Sequence, residues 1–165
     1  MRFWISDTHF GHANIIHHCS RPFADIEEMD AALISNWNKV VGDDDEVYHL
    51  GDVCLDPKLA FKYMSQLKGK KILILGNHDG PNKNMRSAGF DEVYQSWSIK
   101  IGSKRVFMMH RPKPLTGYDA GKWILHGHTH NKTPKIDKPN KMINLSVEHH
   151  NYTPVSEPEL IRLMH

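Results

Sequence analysis

Cysteine is scarce. The 165 residues hold only Cys19 and Cys54, far apart and in no C-x-x-C pattern. A disulfide framework is therefore not expected, and both read as reduced, partly buried thiols. Net charge is nearly absent as well: the formal value is +2, too small by itself to mark a nucleic-acid or membrane surface. No apolar run approaches the roughly 18 residues of a membrane span. Asp7 and His9 interrupt the N-terminal stretch before a signal-peptide core can form. Internal repeats, low-complexity tracts and domain linkers are missing too. These absences leave a single domain over residues 1–165, long enough for one core and expected in the cytoplasm. Neither a membrane nor an obligatory nucleic-acid partner is expected, and nothing specifies an oligomeric state.

What the chain has in excess is histidine, 13 in all. Eight of them lie in or beside five stretches built alike, an apolar run followed by polar residues that bind metals or protons. These are Phe3–His9, Val47–Asp52, Ile72–Asp79, Val106–His110 and Ile124–His130. Short apolar runs rich in β-branched residues read as buried strands. Polar residues that end such strands emerge at the sheet edge, where open α/β folds place their ligands. In Asp7-Thr8-His9 and His128-Thr129-His130, an extended backbone would turn residues two apart to the same side. Asp7, His9, Asp52, Asn77, His110, His128 and His130 supply two Asp, four His and one Asn. That exceeds one tetrahedral zinc site and suits two ions about 3.5–4 Å apart sharing a carboxylate.

Between these stretches the pattern is ordinary. Asp25 and Glu28 form a capping box that opens a helix carrying Met29, Leu33, Trp37 and Val40 or Val41 at helical spacing. Gly42-Asp43-Asp44-Asp45 reads as a solvated turn, because the later ligand spacing of a calcium loop is missing. A second helix follows Asp56-Pro57, a short one ends before Gly89, and another is expected at 158–164. Gly102-Ser103-Lys104 joins two runs as a hairpin, so the sheet system is not purely parallel. Residues 111–121 form a loop over the site. The four tryptophans read as core, and His149 and His150 as surface. His49 and His126 read as packed or hydrogen-bonded behind the ligands.

The order D-x-H, G-D, G-N-H-D, a lone His and G-H-x-H, over residues 7–130, resembles the calcineurin-like metallophosphoesterases. Ser6–His12 and Arg21-Pro22-Phe23 are similar to the small bacterial and phage single-domain members. The resemblance implies an α/β fold, a four-layer α/β/β/α sandwich with two mixed sheets. It implies a first ion on Asp7, His9 and His130, a second on Asn77, His110 and His128, and Asp52 bridging them. His78 is then the catalytic acid, protonating the leaving oxygen after a metal-bridging hydroxide attacks phosphorus. The cofactors expected are two divalent ions, Mn²⁺, Fe or Zn²⁺, with Mn²⁺ favoured in vitro.

The run Gly51-Asp52-Val53-Cys54-Leu55-Asp56 departs from the G-D-x-x-D-R of many phosphatases in the family. A carboxylate to orient His78 is therefore open, with Asp79 adjacent in sequence. Arg21 or Arg111 is expected to replace the missing arginine at substrate phosphate, and His12 and Asn14 join them as substrate-binding candidates. The function expected is a phosphodiesterase acting on a small or nucleotide-derived phosphoester. The alternatives are a phosphomonoesterase and a non-catalytic scaffold that binds proteins. A nuclease on long nucleic acid would want a basic groove, which the charge does not suggest.

Overall fold

Alternation along three short strands builds two cores at once. In β1 (Arg2–Ile5), Phe3 and Ile5 face one way and Trp4 the other; Val47 and Tyr48 divide likewise in β2 (Glu46–His49), and Leu73 and Ile72 in β3 (Lys70–Ile74). A strand with both faces apolar must be covered on both sides. On one side lie α1 (Ala13–His18), α2 (Ile26–Val40), α3 (Ala60–Met64) and α4 (Asn82–Ser87), which contribute Ile15, Met29, Trp37, Tyr63 and Met85 to the first core. On the other side a second sheet supplies Val106, Met108, Leu125 and Ile143. The computed structural model describes residues 1–165, the side chain of Pro57 excepted.

The first sheet has the order β10-β1-β2-β3-β4, with β4 at Glu92–Tyr94 and β10 at Val155–Ser156. Its strands β1 to β4 are parallel and β10 is antiparallel. The second has the order β5-β6-β7-β9-β8, from β5 (Ser96–Ile101), β6 (Lys104–Met109), β7 (Trp123–His126), β8 (Ile136–Asp137) and β9 (Met142–Asn144). β6, β7 and β9 run parallel and the two edge strands antiparallel. This is the mixed α/β architecture with two mixed sheets that the motifs imply. The last helix, α5 (Glu157–Leu163), seats Leu160 in the core between the sheets.

Local signals mostly act as read. The Asp25 carboxylate caps the Glu28 amide at 2.8 Å and the Glu28 carboxylate accepts from the Ala24 amide at 2.6 Å, so α2 starts where the capping box puts it. Val41 completes its apolar stripe, while Val40 is exposed. Cys19 and Cys54 are free and buried. Trp4, Trp37 and Trp123 are core; Trp97 is instead exposed on β5 and stacked on Tyr94. Among the described residues, no helix is long and apolar enough to cross a membrane.

Candidate metal centre

All five motif stretches leave their strands at C-terminal ends, three from parallel β1, β2 and β3 and two from parallel β6 and β7. The loops that follow are not extended, as the D-x-H and H-x-H readings supposed. Asp7, His9, Asp52, His128 and His130 all have left-handed φ, between 47° and 68°. Such backbone is uncommon for residues with a Cβ and persists where the surroundings enforce it. Here two glycines permit the approach. A Cβ on Gly76 would collide with the carboxylate and amide of Asp52, and one on Gly127 with the Ser6 hydroxyl and the Asp7 carboxylate. The glycines of G-N-H-D and G-H-x-H therefore make room for carboxylates of other motifs.

The structure gathers the predicted ligands into two groups. Asp7, His9 and His130 present ligand atoms within 4.8 Å of one another, as do Asp52, His110 and His128. Asp52 Oδ2 lies 3.3 Å from His110 Nε2 and 3.6 Å from His9 Nε2, facing both groups. Asn77 joins the second through Oδ1, 3.1 Å from His110 Nε2. His110 Nδ1–H donates to the Leu50 carbonyl at 2.7 Å, which leaves Nε2 turned to the centre. His9 Nε2 is buried without a hydrogen-bond partner. A bare imidazole nitrogen beside two carboxylates is what a cation would satisfy, so these residues fit divalent metal ions.

The electrostatics match that purpose. Burial pushes His9 down to about 2 and keeps it neutral, the form that ligates. Burial alone would raise Asp52, but the neighbouring His110 ring and a bond from the His78 amide hold it well below the usual carboxylate range. Asp7 is raised by burial, tempered by His110 and His130. Its carboxylate accepts from the Ser146 hydroxyl at 2.8 Å and the His128 amide at 3.0 Å.

Of the residues expected at substrate, Arg21 is elsewhere. It is 4% exposed, and its guanidinium is consumed inside the fold. It donates to the carbonyls of Asp7 (2.7 Å) and Thr8 (2.9 Å) and to Glu148 Oε1 (2.8 and 3.0 Å). It braces the D-x-H loop, and its fifth N–H faces Met29 Sδ at 3.4 Å, so no donor is left for phosphate. His12 stands against His9, Nδ1 to Nδ1 at 3.2 Å, and Asn14 is exposed in the first turn of α1. Arg111 is exposed directly after His110. His78 is exposed at the rim, its ring centroid 5.6 Å from that of His9. Asp79 does not orient it: its carboxylate accepts from the amides of Asp52 (2.9 Å), Val53 (2.9 Å) and Gly76 (2.7 Å), stapling two ligand loops together.

The histidines behind the centre are structural. His49 Nε2–H donates to the Thr8 hydroxyl at 3.0 Å, which itself donates to the Val53 carbonyl, and Nδ1 accepts from the Gly51 amide. His126 is buried against the Gly127 carbonyl. His149 and His150 are not surface residues. His149 donates towards the carbonyls of His130 and Thr133, and buried His150 to that of Asn144. Their neighbour Glu148 falls outside every motif. Its Oε1 accepts from His130 Nδ1–H at 2.9 Å as well as from Arg21. Burial would raise this carboxylate, yet His130 and Arg21 hold it at about 2. Burial likewise opposes charge on His130, but Cys19, Glu148 and Asp7 raise it to about 10. The spacing from His130 to Glu148 carries no motif, so no sequence signal points to the pair.

A groove of about 430 Å³ leads away from Asn77 and His110. Leu75, Phe107 and Met109 give it apolar walls, Gln95 an amide, and Arg111 and Lys113 a cationic rim.

Residues 1–147 match the calcineurin-like phosphoesterase superfamily domain. An uncharacterized protein of Methanocaldococcus jannaschii is 40% identical over 169 aligned positions, covering 98% of this chain and 90% of that protein. The gene 66 protein of Mycobacterium phage L5 is 33% identical, covering 78% and 76% respectively. Among solved structures, a protein of unknown function from Aquifex aeolicus matches with a TM-score of 0.78 at 30% identity, over 99% of this chain and 98% of that one.

Proposed function

The chain belongs to the calcineurin-like phosphoesterase superfamily, and from that premise we propose that it is a dinuclear metal-dependent phosphodiesterase. The observation that carries the reading is Asp52, whose one carboxylate faces two groups of buried metal-binding side chains. Asp7, His9 and His130 would hold one divalent ion and Asn77, His110 and His128 the other, with Asp52 shared. Two ions held there would lower the pKa of a bound water towards neutral and offset the charge that builds on phosphate oxygens. Imidazole-rich ligation favours Mn²⁺, Fe or Zn²⁺ over Mg²⁺.

The protein's own groups do the rest. His78 sits exposed at the rim while its backbone amide is anchored to Asp52 Oδ1 at 2.9 Å, so its ring can reach the leaving oxygen and protonate it. Arg111, beside His110 and open to solvent, is the arginine in reach of a bound phosphate. Preference for a diester rests on the groove beside Asn77. A monoester leaves it empty, whereas the second ester arm of a diester can lie along Phe107 and Met109 under the cationic rim. An apolar wall with nearby cations suits a nucleoside-bearing arm.

The test is hydrolysis of bis-p-nitrophenyl phosphate and p-nitrophenyl phosphate after chelation and Mn²⁺ add-back. Metal-restored cleavage favouring the diester is the expected result. Preference for the monoester would overturn the substrate reading, and no cleavage of either with two ions bound would overturn the enzymatic one.

A further inference from the structure

We propose that Glu148, held by Arg21, is a positioning residue for His130, and that this brace makes the ion site of Asp7, His9 and His130 the preformed, tighter half of the centre. The inference rests on the metal-centre reading above.

Three contacts carry it. Glu148 Oε1 takes the Nδ1–H of His130 at 2.9 Å, so the ring is oriented with Nε2 as the nitrogen left to ligate. That Nε2 points to Asp7 Oδ1, 3.8 Å away, which is the place a shared ion would fill. Arg21 then donates to the same Glu148 oxygen and to the backbone carbonyls of Asp7 and Thr8. One guanidinium thus ties together the loop carrying Asp7 and His9 and the carboxylate aiming His130, residues more than a hundred positions apart. The side chains of Arg21 and Glu148 are 0% and 5% exposed, so the brace works away from competing water.

Cys19, His130 and Glu148 also lie close enough to suggest an ion of their own. The Arg21 guanidinium occupies that role already, since Glu148 Oε1 receives its donors together with that of His130. The other half of the centre has no such brace. Asn77 is exposed, and His110 is oriented by a neutral carbonyl rather than a charged group. Partners of this kind typically alter metal affinity by about 10–100-fold.

The test is Mn²⁺ titration of the chelator-stripped full-length protein by calorimetry, for the wild type, Glu148→Ala, the isosteric Glu148→Gln and Arg21→Ala. The wild type should bind two Mn²⁺ in steps of unequal affinity. Glu148→Ala should weaken the tighter step about 10–100-fold and leave the weaker one in place. Glu148→Gln, which keeps an acceptor without the charge, should fall between, and it is the variant to read if the alanine protein does not fold. In a Glu148→Ala/His130→Ala double variant the two losses should not add, as expected for groups acting through one contact. Unchanged steps, or both weakened alike, would overturn the proposal while leaving the metal centre standing. A wild type that binds no Mn²⁺ would overturn the metal-centre reading and this proposal with it.

Discussion

The two halves of the centre are built from similar residues but supported differently. Asp7 and His9 are 0% and 2% exposed, and everything around them is tied: Asp7 to Ser146 and the His128 amide, their loop to Arg21, His130 to Glu148. On the other side Asn77 and His78 are exposed, and the main restraint is Asp79, which staples their loop to that of Asp52 through backbone amides. One half is fixed by a buried ion pair, the other by a carboxylate on backbone amides, with its ligands divided between buried His110 and exposed Asn77. The difference teaches where, on the proposed function, binding and turnover would separate: the rigid half would retain an ion, and the open half would be where substrate and proton donor meet.

The sharpest way to break this division is His78→Ala. The residue is assigned to proton transfer and not to ligation, so turnover of a substrate with a poor leaving group should fall about 100- to 10,000-fold. Both ions should remain, as metal analysis would read. Full activity would remove His78 from the chemistry. Gly127→Ala tests the rigid half, because its methyl must displace the Asp7 carboxylate and the Ser6 hydroxyl. A loss of about 1–3 kcal/mol of stability is expected from overpacking, with the tighter ion released first. Retention of both ions at wild-type affinity would show the packing to be unimportant. Asn77→Ala tests the open half: the weaker ion should be lost selectively, with thermal stability unchanged within about 0.5 kcal/mol, as for other exposed positions.

A further effect, confined to acid pH, lies behind the centre and needs its sign worked out. His150 is buried with Nδ1 lacking a partner and Nε2 donating to Asn144, and burial depresses it from 6.5 to about 4. The unfolded chain takes up a proton as pH falls below 6.5 and the native chain refuses it. The stability contribution is therefore intact above 6.5 and is lost as pH falls towards 4, by on the order of 3 kcal/mol. Denaturant titrations of the wild type and a His150→Gln variant between these values would detect it as a difference in slope. Equal slopes would assign the acid sensitivity elsewhere.

How far these features were legible in the sequence depends on their range. Strand ends carrying Asp, Asn and His within a few residues are local signals, and the candidate ligands that the structure brings together read directly from them. So does α2, whose cap and apolar stripe lie within one segment. The backbone state of Asp7 or His130 is not local. Left-handed φ at a residue with a Cβ is imposed by packing from other loops, so alternation suggested an extended chain where a tight turn exists. Arg21 looks like a free loop cation because nothing in Arg-Pro-Phe announces that the chain will fold over it. Glu148 sits in a short 3-10 turn after β9 and gains its meaning only when that turn docks beside His130. The edge strands β8 and β10, two residues each, are too short for any period to register.

Arg21 joins the beginning of the chain to its last fifth, and this sets a timetable for manufacture. A ribosome delivers Asp7, His9 and Arg21 first, Asp52, Asn77 and His110 later, and His128, His130 and Glu148 near the end. Neither half of the centre has its full ligand set before residue 128 has emerged. A nascent chain halted at about residue 120 should therefore carry no ion, which metal analysis of stalled chains would read directly. Loading would then wait for the second sheet, whose β7 leads into the loop that carries His128 and His130.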